Sequence, residues 1–116
     1  MKNISVNIQS KVHSSYISIC GSLTGIDAID LKGDLSALCH SGKDLYLDIK
    51  DLEQIDLCGL TALLNARQLT INHGGETYIF VNKDNPIFSL LTKIKFGNQL
   101  NFRDCIIMDP YISIAS

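Results

Sequence analysis

The sequence has no excess of positive charge and no long hydrophobic run. Ten Lys and Arg residues are outnumbered by 12 Asp and Glu residues, which gives a formal net charge of −2. Nucleic-acid-binding proteins neutralise phosphates with clustered basic residues, so we expect no nucleic-acid partner. No apolar segment approaches the roughly 20 residues of a membrane-spanning helix, and the N-terminal MKNISVNIQ alternates polar and apolar residues, unlike a signal peptide. We therefore predict a cytoplasmic protein without membrane insertion.

The sequence also lacks the residue clusters of common metal, redox and phosphate sites. Its four cysteines contain no Cys-x-x-Cys pair, which favours reduced, mostly buried thiols. Its three histidines show no His-x-His or His-x-x-x-His spacing, and the adjacent pair Cys39-His40 would point about 100° apart on a helix. The glycine-containing segments 21–25 and 73–75 have neither the lysine nor the spacing of phosphate-binding loops. We predict no catalytic residue, no metal site and no cofactor, and hence not an enzyme.

Hydrophobic periodicity predicts an α/β fold. Two-residue alternation or β-prone runs indicate strands at 4–9, 16–20, 45–49, 77–81 and 105–108, and apolar residues at helical spacing indicate helices at 26–42, 58–72 and 86–97. The alternation in the third strand places Asp48 on the solvent side, and Thr77–Val81 is predicted to be a central strand. Because strands joined through helices run parallel, we expect a single mixed β-sheet, largely parallel, with about three to four helices packed on it. Residues 1–116 are interpreted as a single domain, with the tail 109–116 unassigned.

A short motif lies at the N-terminus of the middle helix. Residues 56–60, Asp-Leu-Cys-Gly-Leu, lie where an alternating strand pattern ends and an apolar helical pattern begins. Asp56 is suited to accept hydrogen bonds from the free N–H groups of the helix start and to complement the helix dipole. Gly59 removes side-chain bulk, so we expect that a partner can approach the first turn closely.

The motif and its surroundings resemble the STAS domain of bacterial anti-sigma-factor antagonists. The matching stretch, residues 44–82, reads DLYLDIKDLEQIDLCGLTALLNARQLTINHGGETYIFVN. In that family a strand ending in Leu-Asp is followed by Asp-Ser-Ser-Gly-Leu. The resemblance extends upstream to Gly21-Ser22-Leu23 and downstream to the helix that Pro86 opens, so that about nine-tenths of the chain fits in order and spacing. It implies the STAS, or SpoIIAA-like, fold.

The resemblance implies a non-catalytic protein-interaction module. Family members dock on an anti-sigma factor or a GHKL-type serine kinase, and phosphorylation of the serine directly after the motif aspartate releases them. Leu57 occupies this phosphoacceptor-equivalent position and has no hydroxyl group, and Cys58 occupies the second serine position. The resemblance therefore implies a partner-binding site without the usual serine switch, with the partner-binding residues Asp56, Leu57, Cys58, Gly59 and Thr61.

Several alternatives remain open from the sequence. Leu57 could fold under the edge of the sheet instead of contacting a partner, and Thr61 could be a displaced phosphoacceptor or an ordinary helix-surface residue. Cys58 at a helix N-terminus could form a redox switch. STAS subunits also attach to phospholipid ABC transporters, which gives a second function for the same fold. Homodimerisation is left open.

Overall fold

The first two strands form a β-hairpin. A computed structural model describes residues 4–82, 84–93 and 100–103. In it, β1 (Ile4–Ser10) pairs antiparallel with β2 (Ser14–Leu23). The two buried isoleucines Ile17 and Ile19 alternate along β2 and face the core, as the two-residue period predicts.

The other strands are parallel to β2 or to one another. β3 (Asp44–Asp48) pairs with the first half of β2, β5 (Thr77–Phe80) pairs with β3, and β6 (Asn101–Arg103) pairs with β5. The sheet order is β1-β2-β3-β5-β6. This arrangement confirms the predicted mixed, largely parallel sheet and the interior place of the strand at 77–80. The predicted strand at 105–108 and the tail lie outside the described residues.

Two observed strands were not predicted, β6 and the strand at 52–55. β4 (Leu52–Ile55) pairs in parallel with the last residues of β2, after a register shift between Gly21 and Ser22. Its two middle residues, Glu53 and Gln54, are exposed, so the segment shows no apolar run of its own. The parallel pairing with β2 positions β4, and its last residue directly precedes the motif at 56–60.

Three helices lie between the strands in the described ranges: α1 (Gly25–Cys39), α2 (Leu57–Asn72) and α3 (Pro86–Lys93). Apolar residues of all three join the strands in one core. Asn85 caps α3, because its Oδ1 accepts the backbone N–H of Ile87 at 2.9 Å. Within these same ranges, no helix is both long enough and apolar enough to span a bilayer.

The predicted solvent-facing position of Asp48 is wrong. Its side chain is 1% exposed, and Oδ2 accepts hydrogen bonds from the Tyr16 hydroxyl and the Lys50 ammonium, each at 2.6 Å. Oδ1 accepts the backbone N–H of Lys50 at 3.0 Å. A buried carboxylate is tolerated when its oxygens are paired in this way. The two-residue alternation was correct, but the face opposite the helices is also covered at this position.

Candidate functional site at the start of the second helix

Asp56 connects the starts of two helices. It is the N-cap residue of α2, and its Oδ1 accepts the backbone N–H of Gly59 at 3.0 Å, as the sequence predicts. Its Oδ2 accepts the backbone N–H of Gly25, the first residue of α1, also at 3.0 Å. Thr24, the N-cap residue of α1, makes no side-chain cap. One carboxylate therefore satisfies a free N–H group at each of two helix N-termini.

These contacts favour the charged form of Asp56. Hydrogen bonds from the backbone N–H groups of Gly59 and Gly25 hold the pKa of the Asp56 carboxyl below its ordinary value. Both donors stabilise the carboxylate, and both belong to first turns, where the helix dipole is positive. The site therefore carries a fixed negative charge at neutral pH.

Gly59 is needed for packing inside the protein. A Cβ atom at this position would lie 2.3 Å from the carbonyl oxygen of Leu23 and 2.6 Å from Cγ1 of Ile55. Both distances are far below normal van der Waals contact, and Gly59 is buried. The predicted reason for this glycine, room for a partner, is wrong. The missing side chain lets the first turn of α2 pack against the ends of β2 and β4.

Leu57 projects from the same turn into solvent. It is the first residue of α2 and is 75% exposed. The alternative in which Leu57 folds under the sheet edge is therefore wrong. A large apolar side chain at this degree of exposure contributes little to the fold, because most of its surface is in contact with water.

Leu57 stands between two surface depressions. On one side, a cleft of about 250 Å³ is lined by Ile55, Asp56, Leu57, Leu60, Leu90 and Leu91, which places it between α2 and α3. On the other side, a more open groove of about 370 Å³ runs between α1 and α2 and is lined by Lys32, Leu57, Leu60, Thr61, Leu64, Asn65 and Gln68. The first depression is almost wholly apolar, and the second is mixed.

Two other exposed apolar side chains, Ile26 and Leu90, lie on the helices to either side of α2. Ile26 follows Gly25, whose N–H binds Asp56, and is 76% exposed. Leu90 of α3 lines the apolar cleft and is 46% exposed, although it shares helical spacing with the buried residues Ile87 and Leu91. We call Ile26, Leu57 and Leu90, together with the apolar cleft, the α2-entrance surface. Leu57 and Leu90 line the same cleft, and exposed apolar surface of this kind is typical of interaction sites.

Two predicted site residues occupy less exposed or ordinary surroundings. Cys58 is half-buried and packs against the core. Thr61 is exposed, and its hydroxyl donates to the carbonyl oxygen of Leu57 at 2.8 Å. The structure thus places all five residues between the N-cap and the second turn of α2, and Asp56, Leu57 and Thr61 are the exposed ones among them.

The adjacent residues Cys39 and His40 have different surroundings. Cys39 is fully buried, its Sγ donates to the carbonyl oxygen of Ala66 at 3.3 Å, and burial raises the pKa of its thiol to about 11. His40 is exposed and contacts His73 at a ring-centroid distance of 4.7 Å, at the end of α2 opposite Asp56. In the described part of the chain, no group of three or more His, Cys, Asp or Glu residues could hold a metal ion.

Sequence reasoning missed Gly25, Ile26 and Leu90. The Gly25 contact joins residues 31 positions apart and has no local signal. The exposure of Ile26 could have been predicted from the sequence, because Ile26 lies outside the helical spacing shared by the buried residues Ala28, Leu31 and Leu35. An apolar residue off the buried face of a helix is a candidate for an exposed contact.

Comparison with known proteins identifies the family. The model of the STAS domain family matches residues 3–107. An anti-sigma factor antagonist from Mycobacterium paratuberculosis has a similar structure, with a TM-score of 0.74, 13% identity, and coverage of 97% of this chain and 93% of that one. The unphosphorylated anti-sigma factor antagonist SpoIIAA gives a TM-score of 0.72 at 13% identity, covering 95% of this chain and 97% of that one.

A third structure, an uncharacterized DUF3478-family protein from Shewanella loihica with a SpoIIAA-like fold, gives a TM-score of 0.53 at 15% identity. It covers 98% of this chain and 94% of that one. At these identities the structural similarities show the fold, and no curated protein matches the sequence. The family match covers most of the chain, so the chain belongs to the STAS domain family.

Proposed function

We propose that this protein is a cytoplasmic, non-catalytic interaction module of bacterial signalling that binds an anti-sigma factor or a related serine kinase. The observation that carries the proposal is Leu57, 75% exposed at the N-terminus of α2 and directly after the capping carboxylate of Asp56. The fold it shares with two anti-sigma factor antagonists supports the class of function. The α2-entrance surface is the binding site.

Because Leu57 has no hydroxyl group, phosphorylation at this position cannot regulate partner binding. A phosphorylated serine would add nearly two negative charges at this position, next to the carboxylate of Asp56. Leucine adds none, so the surface keeps its apolar character whatever kinase is present. We propose that binding is regulated through the abundance or state of the partner.

The expected contribution of Leu57 to binding follows from its exposure. Complete burial of a leucine side chain is worth about 1.5–3 kcal/mol. About three-quarters of that surface is still available in the free protein, so a partner that covers it gains roughly 1–2 kcal/mol, which is about 5- to 30-fold in Kd. The apolar cleft beside Leu57 can accept a side chain from the partner and add to this contribution.

The test is a pair of matched substitutions on one helix. A partner is first isolated by affinity pull-down from native cells, identified by mass spectrometry, and purified. Leu57→Glu is then compared with Ile71→Glu, an exposed apolar residue in the last turn of α2 that is 42% exposed. We expect Leu57→Glu to raise Kd, measured by calorimetry, by at least about 10-fold, while Ile71→Glu changes it by less than about 3-fold.

Circular dichroism and a thermal melt establish that both variants are folded. Equal affinity of the parent and Leu57→Glu would contradict docking at the α2-entrance surface. Recovery of a transporter ATPase and permease in the pull-down would contradict the signalling assignment and leave the docking surface in place. The identity of the partner and the location of its site are thus tested separately.

A further inference from the structure

β1 presents an open edge, and its described residues, Ile4–Ser10, include none of the usual features that protect an edge strand. It is an outer strand of the sheet, and within the residues described here no strand pairs with its outer side. All its residues from Ser5 to Ser10 are exposed, and its sequence, ISVNIQS, contains no charge and no proline. Its pairing with β2 is continuous over all seven residues, without a bulge. Edge strands of monomeric proteins are normally protected by lysine, proline, bulges or short length.

The free backbone groups can be assigned to particular residues. Lys11, just after β1, donates its N–H to the carbonyl oxygen of Ser14 in β2 at 2.7 Å. Because the backbone groups of successive residues in a strand point to alternate sides, the odd-numbered residues of β1 face β2. The even-numbered residues, Ile4, Val6, Ile8 and Ser10, therefore direct their N–H and C=O groups to the open edge.

The same residues carry exposed apolar side chains. Val6 is 37% exposed and Ile8 is 43% exposed. They lie opposite Ile19 and Ile17, which are completely buried, so they extend the core-facing side of the sheet to its edge. A strand added to this edge would cover apolar surface as well as satisfy hydrogen bonds.

We propose that the partner of this edge is a second copy of the chain, paired antiparallel through β1 with Asn7 on the two-fold axis. In this register Val6 of each copy lies opposite Ile8 of the other, and Ile4 lies opposite Ser10. Each of these pairs consists of residues with outward-facing backbone groups, so four pairs exchange about eight hydrogen bonds. The pairing places Val6 against Ile8 at the centre of one face and Asn7 against Asn7 on the other.

The complementarity of β1 to a second copy of itself depends on its sequence and on the register centred on Asn7. An isologous interface requires that one segment be complementary to itself under a two-fold rotation. β1 meets this requirement without bringing two like charges together, since it contains none. Strand pairing alone buries less than the roughly 1,200 Å² of a standard interface, so the dimer is expected to dissociate in the micromolar range. The edge is separate from the α2-entrance surface, and the inference does not depend on the proposed function.

The first test is the molar mass of the full chain in solution, measured by light scattering after size exclusion at loading concentrations from about 10 μM to about 1 mM. We expect it to rise from 12.8 kDa towards twice that value. Val6→Lys places a charge at the pairing edge and should keep the protein monomeric. Val12→Lys is the matched control, because Val12 lies in the hairpin turn outside the pairing and is 75% exposed.

A second test determines the register of the β1–β1 pairing by disulfide cross-linking. It does not depend on the stability of the lysine variants. In a non-hydrogen-bonded antiparallel pair the Cα atoms are about 4.5 Å apart, within the range for a disulfide. Asn7→Cys should therefore form a disulfide-linked dimer under mild oxidation. Ser5→Cys projects from the same face, but its copy lies four residues along the partner strand, roughly 13 Å away, and should not cross-link above the level of the parent.

Each outcome decides the proposal. A concentration-dependent dimer that Val6→Lys abolishes, with cross-linking at position 7 and not at position 5, supports it. A monomer at all concentrations, a dimer that persists in Val6→Lys, or equal cross-linking of the two cysteine variants overturns it.

Discussion

Two glycine-to-alanine substitutions in helices should have opposite effects on stability. Gly33 lies on the exposed side of α1, and a Cβ atom there meets no heavy atom within 4 Å. Gly59 lies in the first turn of α2, where a Cβ atom meets the carbonyl oxygen of Leu23 at 2.3 Å and Cγ1 of Ile55 at 2.6 Å. Helix propensity favours alanine at both positions, so the packing alone distinguishes them.

The magnitudes follow from these distances. Gly33→Ala should gain about 0.5–1 kcal/mol from reduced entropy of the unfolded chain and better propensity. In Gly59→Ala the contacted backbone of β2 cannot rotate away as a side chain can, so overpacking should exceed the propensity gain and leave a net loss of roughly 2–3 kcal/mol. With about 2.1 cal/mol/K of unfolding entropy per residue and 116 residues, 1 kcal/mol corresponds to about 4 °C in Tm.

We therefore expect Gly33→Ala to raise Tm by about 2–4 °C and Gly59→Ala to lower it by about 8–12 °C. Differential scanning calorimetry measures both, and urea titration gives the same order in free energy of unfolding. If Gly59→Ala is as stable as Gly33→Ala, α2 does not pack on the ends of β2 and β4 as the structure shows. The position of Leu57, set by that packing, would then also be wrong.

Two further substitutions test the polar contacts of the fold and of the site. Tyr16→Phe removes the 2.6 Å hydrogen bond to the buried Asp48 carboxylate and should lower the free energy of unfolding in urea titration by about 1.5–2 kcal/mol; an unchanged midpoint would show that the bond does not form. For Asp56, whose pKa is lowered from 3.8 by hydrogen bonds from the Gly59 and Gly25 backbones, stabilisation by the carboxylate is complete above the unfolded-state pKa. It is lost as the pH falls through the lower folded-state pKa. Asp56→Ala should therefore be less stable than the parent at neutral pH and approach it in acid, and a stability gap between them that does not depend on pH would contradict the role of the charge.

The helices and most strands could be predicted because their signals are local. α2 has a capping aspartate at its start and apolar residues at helical spacing, and Asn85 with Pro86 marks the start of α3. β4 could not be predicted, because only pairing with β2, 31 or more positions earlier, makes Leu52–Ile55 a strand. The burial of Asp48 was missed for a similar reason, since its partner Tyr16 comes from a distant strand.

The same distinction applies to the site. The cap formed by Asp56 on α2 is a contact over three residues and was predictable from the motif. Its bond to Gly25 depends on how α1 and α2 are placed side by side, which no local pattern encodes. The motif drew attention to Gly59, but the role predicted for it was room for a partner. A glycine can serve a partner or the protein's own packing, and only the atoms around its Cα distinguish the two.

The short ladder between β2 and β4 determines which changes of length the chain can tolerate. Leu23 lies opposite Ile55 in this ladder, and one or two residues later the chain reaches Gly25 and Asp56, which then lie within hydrogen-bond distance. An extra residue in the turn at 49–51 precedes the ladder and leaves this register intact. An extra residue between Ile55 and Asp56 would displace the carboxylate by about 3.3 Å and release the starts of both helices. Insertions and deletions among related sequences should therefore occur in the turn at 49–51. They should be absent next to Leu23 and Ile55, the last pair of the ladder.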